Sequence, residues 1–164
     1  MILFGETLNI LNCLDSWTID KKKALDYITA GDAIFTLVST KKRVAYTYRI
    51  RRHKGPKHKE KYACYLIVDN NDKFCDAEFC YLMLYNKKRN GIIPYINEDE
   101  YRLPKQMLMV FIQMLTNPNE YWRHSCKLFI SDKCARCGRA LTDDISKTRG
   151  YGSTCYKHIE GGKM

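Results

Sequence analysis

Four side chains near the C-terminus have the types and the spacing of a metal site. Cys134 and Cys137 form a Cys-x2-Cys pair followed by Gly138, seventeen residues separate Cys137 from Cys155, and His158 lies three residues further on. Thiolates separated by two residues can converge on one ion if the chain turns tightly after the second, and glycine permits that turn. The full pattern, Cys-x2-Cys-x17-Cys-x2-His, predicts one structural Zn2+ held by Cys134, Cys137, Cys155 and His158. A sulfur-rich, four-coordinate ion leaves no position for a reactive water, so its expected role is to hold structure. Spacing constrains the fourth ligand least: His124, Cys126 and Asp132 lie upstream as alternatives. A redox pair is the competing chemistry for Cys134 and Cys137, but such a pair would not need Cys155.

A second group of residues carries charge. Between Arg51 and Lys61, eight of eleven residues are Lys, Arg or His, and Lys87-Lys88-Arg89-Asn90-Gly91 forms a second basic turn. The chain as a whole has 28 Lys plus Arg against 18 Asp plus Glu, a net charge of +10, which favours contact with a polyanion. The expected nucleic-acid contacts are Arg51, Arg52, Lys54, Lys57, Lys59, Lys87, Lys88 and Arg89, joined by Arg136 and Arg139 of the metal motif. Tyr46, Tyr48, Tyr62, Tyr65, Tyr81 and Tyr85 interleave with these loops. Strand residues alternate in direction, so about half of the six should enter a core and the rest remain free for base stacking.

Positioning these groups requires strands. Ile34–Val38 and Val44–Arg51 show a period of two, and Tyr62–Val68 and Phe79–Tyr85 continue the pattern, with turns at Ser39–Arg43 and Asp69–Asp72. Helical spacing predicts a helix over Asp20–Ala30, capped by Thr18 and stopped by Gly31. A second is expected from Pro104 to a point before Pro118, with Leu108, Phe111, Ile112 and Leu115 on its apolar face. Residues Leu8–Leu14 are apolar without a decisive period. The expected fold is α+β: a small antiparallel β-meander of about four strands with two flanking helices, plus a treble-clef-like C-terminal zinc module in which Cys155 and His158 share one turn of a short helix. Residues 1–122 would form the basic α+β domain and residues 123–164 the zinc-binding module.

A chain of 164 residues that is 45% hydrophobic can bury a core, and its longest apolar stretch, Met107–Leu115, is far short of a membrane span. Met1–Glu6 has no basic leader, which together with the Cys-x2-Cys pair predicts a reducing, cytoplasmic setting despite eight cysteines. Cys13, Cys64, Cys75 and Cys80 are expected to act as small core residues, with a second metal site at Cys64, Cys75 and Cys80 as the lesser alternative.

The string Cys134-Ala135-Arg136-Cys137-Gly138-Arg139-Ala140-Leu141-Thr142, with Ser146, Gly150, Gly152 and Cys155, resembles an uncharacterised small zinc-binding domain of bacteriophage and bacterial proteins, whose pattern reads C-x-R-C-G-R-x-L-T-x-x-x-S and then G-x-G-x-x-C. The resemblance implies a phage or phage-derived source, hence a bacterial host cytoplasm, and no particular activity. Three functional classes follow. The first is a non-catalytic, zinc-containing accessory protein that binds nucleic acid through basic loops. The second is a protein-interaction module that inhibits a host or defence protein. The third, a nuclease built on a histidine-metal finger, needs a general-base histidine near its hairpin, and Leu141–Tyr151 contains none.

Overall fold

Between Ala33 and Tyr85 each strand has an apolar face, and the strands bury that face by pairing side by side beneath a helix. The structure, a computed structural model, describes residues 21–39, 41–55, 57, 60–68, 78–95, 101–117 and 126–162. Strands β1 (Asp32–Ser39), β2 (Val44–Arg52), β3 (Lys61–Val68), β4 (Glu78–Asn86) and β5 (Gly91–Pro94) run as a meander. Strand β6 (Cys126–Ile130) returns to pair with β1, completing a six-stranded sheet of order β5-β4-β3-β2-β1-β6. Every ladder is antiparallel. The class is α+β, as expected, and the four expected strands are joined by β5 and β6. Four residues are too few to display a period, and β6 is an edge strand whose partner is remote in sequence, so neither announces itself locally.

Helix α1 (Lys21–Ile28) ends three residues before Gly31, whose φ of 147° turns the chain into β1. Helix α2 (Arg102–Thr116) accepts Pro104 in its first turn, where no intrahelical N–H bond is lost, and buries Leu108, Phe111, Ile112 and Leu115 against the sheet. Thr18, the Leu8–Leu14 stretch, the Asp69–Asp72 turn and Pro118 lie outside the described residues.

Aromatic rings fill the space between sheet and helices. Phe35 contacts Tyr48 and Phe111 with ring centroids 5.8 and 6.3 Å apart, and Tyr62 meets Tyr85 at 6.2 Å. The Tyr48 hydroxyl donates to the Pro104 carbonyl at 2.8 Å, so a buried polar atom ties β2 to α2. Tyr48, Tyr62 and Tyr85 are thus core residues; Tyr46 is half-buried against the same core. At Cys64/Tyr65 the β3–β4 register shifts: Cys64 faces Met83, whereas Tyr65 faces Tyr81, leaving Leu82 as the extra residue of a bulge. Cys64 is fully buried and its thiol is pushed up by that burial, while Cys80 is half-buried; both behave as small apolar residues. Cys13 and Cys75 lie outside the described residues. Among the described residues no helix is long and apolar enough to cross a membrane.

Burial pushes the Tyr27 and Tyr85 phenols from the ordinary 10.0 up to about 12. The fold accepts only their neutral form, so this stabilisation is complete below pH 10.0 and is lost as pH rises toward about 12. An absorbance titration of phenolate should therefore show a delayed class that ionises together with loss of the far-ultraviolet sheet signal. Ionisation of all tyrosines near pH 10.0 with the sheet intact would contradict it.

Candidate metal centre

The Cys-x2-Cys segment is a hairpin closed by short-range hydrogen bonds. Lys133 bridges Ala140, the Cys134 N–H donates to the Arg139 carbonyl at 2.8 Å, and the Gly138 N–H donates back to the Cys134 carbonyl at 2.8 Å. Gly138 adopts φ 75°, the left-handed conformation that a side chain would resist. The chain then enters α3 (Asp144–Arg149), capped by the Asp143 carboxylate, which accepts the Ser146 N–H at 2.8 Å, and closed by Gly150 at φ 80°. Helix α4 (Ser153–Gly161) begins after Gly152 and carries Cys155 in its first turn. Sequence reasoning did not place α3, although Asp143 and Gly150 are its two end signals. Gly152 occupies the cap position of α4, and Ser153 and Thr154 stand inside the helix.

These turns bring the sulfurs of Cys134, Cys137 and Cys155 to within 4.8 Å of one another. Cys134 is buried, Cys155 half-buried and Cys137 exposed. His158 is exposed on the following turn of α4 and is not part of that group; Asp132 is exposed and also outside it. His124 and the Cys126 side chain are not among the described residues. A tetrahedral zinc with Zn–S bonds of about 2.3 Å needs sulfurs roughly 3.8 Å apart, a spacing that the cluster can supply.

Protonation chemistry fits the same occupant. Burial would raise the Cys134 thiol, but backbone N–H groups of Gly152, Cys137 and Arg136 point at its sulfur, and together they pull it below its ordinary value. Cys155 is raised, first by burial and then by hydrogen bonds with the Cys137 and Cys134 side chains. Cys134 therefore favours the thiolate and Cys155 the thiol, and a cation that replaces the Cys155 proton removes the conflict between them. The donor set can hold one metal ion.

The cluster is welded to the sheet. The Asp32 N–H donates to the Ala135 carbonyl at 2.8 Å, the Ala135 N–H donates to Gly150, and Ala135 is fully buried in the main core. Tyr27 of α1 packs edge-on against Tyr151 at 6.0 Å and donates its hydroxyl to the Ile34 carbonyl. The Asp32 carboxylate lies against Gly138 and accepts two bonds from the Arg49 guanidinium, each 2.7 Å. Neither Asp32 nor Arg49 stands out in the sequence as a contact to the cysteine hairpin. Strand β6 lies beyond the boundary expected at residue 123, and its ladder with β1 pairs Phe35 with Ile130.

The basic residues assemble at the same end. Asp32 pairs with Arg51, Arg52 with Tyr62, and Lys61 with Asn86, so the start of β1, the end of β2, the start of β3 and the end of β4 share one edge. The His53 N–H donates to Lys61 and the Lys87 N–H to Glu60, which brings the two basic loops together. Arg51, Arg52, Lys54, Lys57, Lys88 and Arg89 are exposed there, and Lys59 lies outside the described residues. Arg136, exposed like Arg139, has its backbone carbonyl against Gly31, next to Arg52, whose N–H donates to the Gly31 carbonyl. Arg52 and Lys87 are partly committed within the fold. The Arg52 guanidinium bonds the Thr29 carbonyl and the Tyr62 hydroxyl, and the Lys87 ammonium bonds the Thr29 hydroxyl at 3.0 Å.

No curated protein and no solved structure matches the chain. Residues 131–160 match a family of unknown function, DUF6011. That span contains the hairpin, α3, most of α4 and all three clustered thiols, so the part of the chain that is similar to this uncharacterised family is the unit able to hold a metal ion.

Proposed function

We propose that this is a non-catalytic, zinc-containing accessory protein of phage type that binds nucleic acid through the basic end of its sheet. The observation that carries the reading is the convergence of two basic loops and the cysteine hairpin on one edge of the sheet. Charges scattered over a surface would give solubility alone, whereas charges gathered at one edge create a local field for a polyanion. The ion would work at a distance from the ligand. It fixes the hairpin, and the hairpin holds Arg136 beside Gly31 and Arg52.

Salt dependence tests this reading. Each phosphate neutralised releases counterions, so log affinity should fall with log salt by roughly 0.7 to 0.9 per contact. Arg51, Lys54 and Lys88 are the informative positions, because they are exposed and, unlike Arg52 and Lys87, have no bond to Thr29. Replacing all three with alanine should flatten the slope by about 2 to 3 and leave metal content unchanged. No binding to labelled DNA or RNA at micromolar protein and low salt, or an unaltered slope, would refute the reading. A protein-interaction module is the second reading, favoured by an open groove of about 570 Å³ lined by Ile92, Met109, Val110, Gln113 and Met114, since methionines adapt to apolar partners. Under that reading the triple variant would bind its partner as the parent does.

A further inference from the structure

The sheet face turned away from α2 carries a row of tyrosines that neither the core nor the metal centre uses. Tyr65 on β3, Tyr81 on β4 and Tyr95 just beyond β5 lie on three adjacent strands. Tyr65 and Tyr81 meet edge to face with ring centroids 5.7 Å apart, and Tyr81 and Tyr95 do so at 5.4 Å. Tyr81 is 37% exposed and Tyr95 47%. Each ring supports the next, so the row is held in place without being buried. Tyr95 is anchored further: its N–H donates to the Leu82 carbonyl and its own carbonyl accepts the Lys105 ammonium.

The row is continuous with the basic end. Across β2, Arg49 is the register partner of Tyr65, and Arg51 is the partner of Ala63, one step nearer the basic loops on the same face. Arg49 is held by Asp32 through two short bonds, whereas Arg51 reaches the same carboxylate only at 3.9 Å and its side chain is half exposed. Rigid aromatic faces that run into a cationic edge suit a ligand with exposed π-faces and a regularly spaced anionic backbone. Unpaired bases offer such faces; in a duplex they are stacked on one another and closed to an outside ring. A purely apolar partner would gain nothing from the flanking charge.

We propose that Tyr81 and Tyr95, backed by Tyr65, form a base-stacking platform that makes this protein selective for single-stranded nucleic acid, whose phosphates run from the row toward Arg51 and the basic loops. The proposal rests on the nucleic-acid reading above and deepens it. Fluorescence anisotropy with a labelled oligothymidylate of about 20 nucleotides and a duplex of the same length separates the two. The parent should bind the single strand more tightly than the duplex. In the full-length chain, Tyr81→Leu with Tyr95→Leu keeps apolar bulk but removes the π-faces. It should weaken single-strand binding about tenfold or more while leaving duplex affinity and the salt slope unchanged. Tyr81→Phe with Tyr95→Phe should bind as the parent does, which guards against a misfolded leucine variant. Equal parental affinity for both probes, undiminished single-strand binding by the leucine pair, or an equal loss on both probes would each overturn the platform while leaving the basic-end reading standing. A parent that binds neither probe would sink both.

Discussion

Cys137→Ser is expected to abolish stoichiometric metal, reducing a preparation with one zinc per chain to one with almost none. The position is chosen for its exposure: Cys137 lies at the surface, whereas Cys134 is buried, so serine at 137 removes a thiolate without opening a core cavity. Binding free energies of structural zinc sites reach about 10 kcal/mol or more, comparable with the whole stability of a domain of this size. Losing the ion should therefore release the hairpin, α3 and α4. The effect should also reach the sheet, because Ala135 is part of the main core and the Asp32 N–H loses its partner when Ala135 leaves. Amide exchange at Asp32 and Arg52 should accelerate, and chelator treatment of the parent should reproduce the pattern. Weaker metal retention against a chelator after His158→Ala would mark His158 as the fourth ligand, and unchanged retention would place that ligand elsewhere, His158 being exposed and outside the sulfur cluster. A Cys137→Ser protein with full zinc content would refute the site. Zinc loss with a wholly unaffected sheet after Cys137→Ser would show that the two units are energetically separate.

Gly31→Ala is expected to be strongly destabilising. A Cβ at this position would lie 2.7 Å from the Arg136 carbonyl oxygen, a backbone atom that no rotamer change can move aside, and φ is 147°. Relief requires the hairpin to retreat from β1, and that breaks the bond from the Asp32 N–H to the Ala135 carbonyl, 2.8 Å long. We expect a loss of about 2 to 4 kcal/mol, in the range of backbone strain combined with one lost hydrogen bond. Gly55→Ala provides the control. It shares a positive φ, 122°, but its Cβ would meet nothing within 4 Å, so only the conformational cost of about 1 kcal/mol applies. Denaturant unfolding of both variants with metal bound checks the difference. Equal losses would mean that the contact between Gly31 and Arg136 carries no strain.

Local chemistry in the sequence determined most of the elements and the three cysteines able to share one ion. The period of two in Ile34–Val38 and Val44–Arg51, the helical spacing behind Pro104, and the Cys-x2-Cys-x17-Cys pattern each depend on neighbours a few residues away or on ligand chemistry that tolerates a variable spacer, and such signals survive in one dimension. Tertiary structure alone decided what lay between distant segments. Strand β6 has its partner in β1, and the bond from Asp32 to Ala135 joins positions that no local pattern relates. The six interleaved tyrosines were indistinguishable by type. Alternation separates Tyr62 from Tyr65 on β3, but only the bulge at Leu82 sets Tyr81 on the face opposite Tyr85, and Tyr95 joins the row only because β5 lies beside β4. The two basic loops were legible as charge and invisible as one surface, because only the strand registers set their tips at the same edge as the metal hairpin.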